Sequence, residues 1–88
     1  MKQWVLYILS CKDGSLYTGI TDDLPRRLVQ HREGKGAKYT RGRSPLTLVY
    51  QEVCQSHSDA LKREYSIKQL RRAEKQKLIE THQKTATE

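Results

Sequence analysis

The 88-residue sequence has no phenylalanine, one methionine, one tryptophan and two prolines. Such a chain can bury only one small core of Leu, Ile, Val and Tyr, so a single domain is expected. Cysteine is scarce too. Cys11 and Cys54 are too few for a disulfide framework, no Cys-x-x-Cys occurs, and both read as small apolar residues at strand ends. With only three scattered histidines a zinc site is not expected. No stretch approaches the ~20 apolar residues of a membrane span. Residues 2–10 are followed by no small-residue cleavage site, which makes the cytoplasm the expected location. Acid is the last shortage: ten Asp and Glu face seventeen Lys and Arg, a net charge of +7.

That surplus is clustered. Arg32, Lys35, Lys38, Arg41 and Arg43 face only Glu33, and a second group runs from Lys62 and Arg63 through Lys68, Arg71, Arg72 and Lys75 to Lys77. Fields of this kind attract polyanions and release counterions from a phosphate backbone, although a solvated surface explains charge alone equally well.

Residues 2–11 form a nearly continuous apolar run, as a central strand buried on both faces requires. Residues 15–21 form a second strand with one glycine. Between them, a three-residue loop of Lys12, Asp13 and Gly14, with Gly14 left-handed, makes a favoured hairpin. That register sets Tyr7 opposite Gly19 and Tyr17 opposite Leu9, so both phenols leave one sheet face. Thr21 or Asp22 is expected to cap a helix running from Asp23 to Glu33 and stopping at Gly34. On it Leu24, Leu28 and His31 share an arc, with Arg27 at its edge and Arg26 on the surface. Residues 34–45 are a basic loop, and residues 46–53 alternate as a third strand. Ser56 or Ser58 caps a helix to about Leu70, and residues 72–82 form a further helical stretch. The expectation is an α+β domain over residues 1–82, its three-stranded antiparallel sheet flanked by helices in the order β-β-α-β-α-α, with a polar, frayed tail at 83–88.

Glu64 falls among Ala60, Leu61 and Ile67 in the core-facing arc of its helix. Buried carboxylates are paired or hold metals, so the alternatives are an ion pair with Lys68 or a divalent cation. Strand tyrosines are usually packing residues, but two on one face beside a glycine leave room for a ligand. A phenol is a poor base unless a cation stabilises its phenolate. Arg27 could do so and could also grip a phosphate oxygen, while His31, one turn away, could exchange a proton near neutral pH.

Val5-Leu6-Tyr7, Tyr17-Thr18-Gly19, Arg27, His31 and Glu64 together resemble the GIY-YIG nuclease superfamily, and most closely its small stand-alone bacterial members. Gly34-Lys35-Gly36-Ala37-Lys38 and Ile67-Lys68-Gln69-Leu70 carry the latter likeness. The first motif reads Val-Leu-Tyr in place of Gly-Ile-Tyr, and Ile20 stands where some repair members have lysine. The resemblance implies a divalent-metal-dependent endonuclease acting on DNA, structured or damaged DNA being a candidate substrate and RNA not excluded. It implies Tyr17 as general base, Tyr7 as an orienting group, Arg27 as charge stabiliser and Glu64 as ligand to one Mg²⁺ or Mn²⁺. The alternative is a non-catalytic nucleic-acid-binding module on the same fold. Lys35, Lys38, Arg41 and Arg43 are the expected nucleic-acid-binding residues. Tyr7, Tyr17, Arg27, His31 and Glu64 are expected around one open concavity, with Glu64 facing open space rather than a lysine.

Overall fold

The computed structural model describes residues 3–36, 40, 42, 43 and 45–86, with the side chains of 83–86 left aside. Strands β1 (Trp4–Ser10), β2 (Leu16–Thr21) and β3 (Thr47–Cys54) form one antiparallel sheet in the order β2-β1-β3. Helices α1 (Leu24–Arg32), α2 (His57–Lys68) and α3 (Arg72–Ala86) complete the order β-β-α-β-α-α, the α+β architecture expected.

β1 is the central strand, and Leu6, Tyr7, Ile8 and Leu9 are all buried. The β1–β2 turn has the expected length: the Cys11 amide donates to the Ser15 carbonyl at 2.9 Å, which leaves residues 12–14 as the loop. Gly14 takes φ +84°, a left-handed conformation that suits glycine. Tyr7 therefore pairs with Gly19 and Tyr17 with Leu9. On the β3 side a bulge at Ile8/Leu9 shifts the register, so that Ile8 pairs with Tyr50 and Leu9 with Leu48.

Alternation divides the sheet's two faces. Leu6 and Ile8 join Tyr50, Ile67 and Ile79 in the apolar core, with Leu16, Ile20, Leu70 and Leu78 packed around them. α2 lies on β1 and β2, and α3 lies on β3. The opposite face of β1 carries Tyr7, which meets His31 of α1.

The caps refine the sequence reading. Asp23, rather than Thr21 or Asp22, caps α1 by accepting from the Arg26 amide at 3.3 Å. The Thr21 hydroxyl instead accepts from the Asp23 amide at 3.1 Å, which fixes the chain just before the cap. Ser56 caps α2, its hydroxyl accepting from the Asp59 amide at 3.1 Å. Between α2 and α3 the chain turns without proline, and Glu74 reaches back to the Arg71 amide at 3.0 Å to start the new helix. Residues 83–86, expected to fray, continue α3, in keeping with the helix propensity of Gln, Lys and Ala. Cys11 and Cys54 are free thiols.

Candidate active site

The hairpin brings the two tyrosines together as the register demands, with ring centroids 6.2 Å apart. Gly19 makes this approach possible. A Cβ there would lie 2.7 Å from the Tyr7 hydroxyl and 3.0 Å from the Tyr17 ring, inside the contact distance of either. Tyr7 is fully buried and Tyr17 only partly so.

Around Tyr7 the polar groups form a closed chain. The Arg27 Nε–H donates to the Tyr7 oxygen at 3.4 Å, the Tyr7 oxygen lies 2.9 Å from His31 Nε2, and His31 Nδ1 lies 2.9 Å from the Thr40 hydroxyl. One proton arrangement satisfies every group. Tyr7 accepts from Arg27 and donates to Nε2, and a neutral His31 donates from Nδ1 to Thr40. Burial, and then the charge of Arg27, lowers the His31 pKa from its ordinary value and so favours this neutral form. Burial likewise pushes the Tyr7 phenol up to about 12, only partly opposed by Arg27. Tyr7 is thus a protonated hydrogen-bonding group at neutral pH. The Arg27 pKa is raised, chiefly by its bond to Tyr7 and partly by Tyr17. A second anchor holds this guanidinium, since Nη1 donates to the Gln30 side chain at 3.1 Å.

His31 is 1% exposed, and its ring lies so close to Gly36 that a Cβ there would fall 2.5 Å from Nδ1. Thr40 and Gly36 therefore belong to the site, although sequence reasoning passed over both. Thr40 lies nine residues from His31 in a loop without periodicity. Gly34 read as the helix stop and Gly36 as part of the family likeness, and neither reading puts Gly36 against the His31 ring.

Glu64 stands on the arc of Ala60 and Ile67, both fully buried, whereas Leu61, expected on the same arc, is 46% exposed. The Glu64 side chain is 21% exposed, and its carboxylate lies 3.4 Å from the Lys68 ammonium. The expectation that it faces open space is corrected: the i,i+4 spacing lets Lys68 fold back over it. Its charge still reaches Tyr7, where it is the last among the causes that raise the phenol's pKa.

Tyr7 and His31, expected on one shared open concavity, are instead buried. A cavity of about 300 Å³ is lined by Arg27 with Trp4, Asp22 and Asp23, and another of about 320 Å³ by Tyr17 with Leu16, Thr18, Lys68 and Lys75. Tyr7 and His31 line neither, because their polar atoms are satisfied inside the fold. Of the basic loop, Lys35 pairs with Glu33 at 3.5 Å. Arg43 pairs with Asp13 and donates to the Ser15 hydroxyl at 3.5 Å, tying the loop's end to the β1–β2 turn. Lys38 and Arg41 lie outside the described residues.

The model of the GIY-YIG catalytic domain matches residues 3–78, nearly the whole of this arrangement. The chain belongs to the GIY-YIG family. This GIY-YIG chain is 53% identical over 79 residues to a UPF0213 protein of Staphylococcus saprophyticus, covering 90% of this chain and 96% of that one. It is 53% identical over 74 residues to a UPF0213 protein of Halobacterium salinarum, covering 84% and 96%. Among solved structures, it resembles the solution structure of a UPF0213 protein from Bacillus halodurans (TM-score 0.59, 48% identity, 92% and 85% covered). An E. faecalis protein is also similar (TM-score 0.65, 38% identity, 92% and 86% covered). These relatives are small GIY-YIG proteins, and the family is a nuclease family that generally uses divalent metal ions and acts on nucleic acid. Among the described residues no helix is long and apolar enough to cross a membrane.

Proposed function

We propose that this chain is a divalent-metal-dependent endonuclease that hydrolyses DNA phosphodiester bonds, with structured or damaged DNA as candidate substrate. One observation carries the reading. Of the two phenols, the buried one is bonded to Arg27 and His31, while the other, Tyr17, interacts with the same arginine and lines an open concavity of its own.

In this reading Tyr17 takes the proton of the attacking water, directly or through a second water, with Arg27 stabilising the phenolate. Arg27 also presents its remaining N–H groups to a non-bridging phosphate oxygen, where negative charge grows in the transition state. Tyr7 fixes the guanidinium through Nε, and Gln30 fixes it through Nη1. His31 is a positioning residue: it orients the Tyr7 hydroxyl and exchanges no proton with substrate. The Glu64 carboxylate is the proposed ligand of one Mg²⁺ or Mn²⁺. A hard oxygen fits either ion, Mg²⁺ keeps most of its waters, and the Lys68 ammonium already puts a cation against that carboxylate. Such an ion would polarise the phosphate as a Lewis acid. Lys35, Lys38, Arg41 and Arg43 supply affinity for the phosphate backbone rather than chemistry.

The test is nicking of supercoiled plasmid in Mg²⁺ or Mn²⁺, with and without chelator, by the wild type and by Glu64→Gln. The wild type should nick only with metal present, and Glu64→Gln should not nick. DNA binding with no chelator-sensitive nicking at any protein concentration would leave the alternative, a non-catalytic binding module.

A further inference from the structure

Two concavities meet along the outer edge of β2. The one lined by Tyr17, Lys68 and Lys75 shares Leu16 and Lys75 with a smaller one of about 190 Å³, lined also by Ser15 and Arg72. Among the described residues no carboxylate lines either. β2 is an edge strand, and among the described residues no further strand of this sheet covers that side.

The three cations here differ in how they are held. Lys68 pairs with Glu64. Arg72 spends one N–H on the Gly14 carbonyl at 2.6 Å, which fixes its guanidinium over the β1–β2 turn. Lys75 is half-buried between them and joins no ion pair among the described residues. Lysine buries its stem along a surface and keeps its ammonium in water, so a lysine without a carboxylate partner in an open groove is available to an anion. Tyr17 marks the end of the groove where the reacting phosphate would lie, and the positive charge continues away from it.

We infer that this groove is a phosphate track: one strand of duplex DNA runs along the β2 edge from Tyr17, past Lys75, to Arg72. This rests on the nuclease reading, and it moves the principal backbone contacts away from the loop containing Arg43, whose charge is engaged by Asp13. Lys75 is the central contact. Arg72 gives the far end of the track a guanidinium held in place before DNA arrives. Lys77, exposed on the same helix, lies outside the groove.

The test measures the anisotropy of a short fluorescein-labelled duplex across a salt series in chelator, alongside plasmid nicking in Mg²⁺. Lys75→Gln should weaken binding by roughly 3- to 10-fold and reduce the salt slope by about 1, as expected for loss of one phosphate contact. Lys77→Gln should keep the wild-type slope. If the wild type nicks and Lys75→Gln binds with unchanged affinity and slope, the track is wrong and the nuclease reading stands. If binding depends on Lys75 but the wild type never nicks, the track stands and the nuclease reading fails. A wild type that binds no DNA overturns both. Tighter binding of a matched RNA duplex overturns DNA as the occupant.

Discussion

The two faces of β1 are held by different forces. On one face, Leu6 and Ile8 meet Ile67, Ile79 and Tyr50 through apolar contact alone. On the other, Tyr7 is equally buried but sits in a chain of hydrogen bonds from Arg27 to Thr40. Apolar packing is non-directional and tolerates small shifts, whereas a buried polar chain fixes each member's orientation and penalises any gap. The first face sets how stable the domain is. The second sets where Arg27 and Tyr17 point.

Substitutions can break this comparison, and the largest effect is expected on the apolar face. Ile67→Ala should cost about 2–5 kcal/mol, through lost burial and the cavity left behind. Denaturant unfolding measures the loss, and nicking per folded molecule should be unchanged. Equal loss of turnover would mean that the faces are not separable.

Gly19→Ala strikes the polar face through sterics. The added methyl would meet both tyrosine rings, so one of them must move. Overpacking of this kind costs about 1–3 kcal/mol. Nicking should fall much further than stability does, and a Gly19→Ala protein with wild-type turnover would show that the ring positions do not matter.

How far the site was legible in the sequence follows the same division. The register of Tyr7 and Tyr17 could be read because Gly14 fixes the loop length and alternation does the rest. The position of Glu64 could be read because Ala60 and Ile67 bracket it at helical spacing. Its contact with Lys68 is a choice of side-chain conformation, and spacing allowed it without requiring it. His31 could be placed on an arc with Leu24 and Leu28 by spacing, but its partners could not be read, because a loop brings back Thr40 and Gly36 with no periodic pattern to announce them. The α1 cap moved to Asp23 because Thr21, Asp22 and Asp23 are all competent caps and only the backbone path selects among them. The order and type of the elements follow from patterns along the chain, whereas the polar chain depends on contacts across it.

Acid should expose the neutral His31. Its folded pKa lies below the ordinary value of about 6.5, so below that pH the unfolded chain takes up a proton that the folded chain resists. The contribution is complete above about pH 6.5 and is lost as the pH falls toward the folded value. Melting curves from neutral to mildly acid pH should therefore drop less steeply for His31→Gln than for the wild type. Parallel curves would mean that His31 is not held neutral.

The smallest effect sharpens the division. Thr18 is 3% exposed, pairs with Ile8 on the apolar side, and its hydroxyl has no partner among the described residues. Thr18→Val keeps the shape and removes that cost, so its melting temperature should equal or exceed the wild type's. A clear loss of stability would show that the hydroxyl does have a partner.

The central claim is that chemistry belongs to the open phenol and positioning to the buried one. Single-turnover cleavage by Tyr17→Phe, measured beside its melting temperature, tests it most directly. The account predicts a rate at least ~10²-fold below the wild type, the lower end for loss of a general base, with stability little changed. A Tyr17→Phe protein that folds normally and cleaves at the wild-type rate would contradict it.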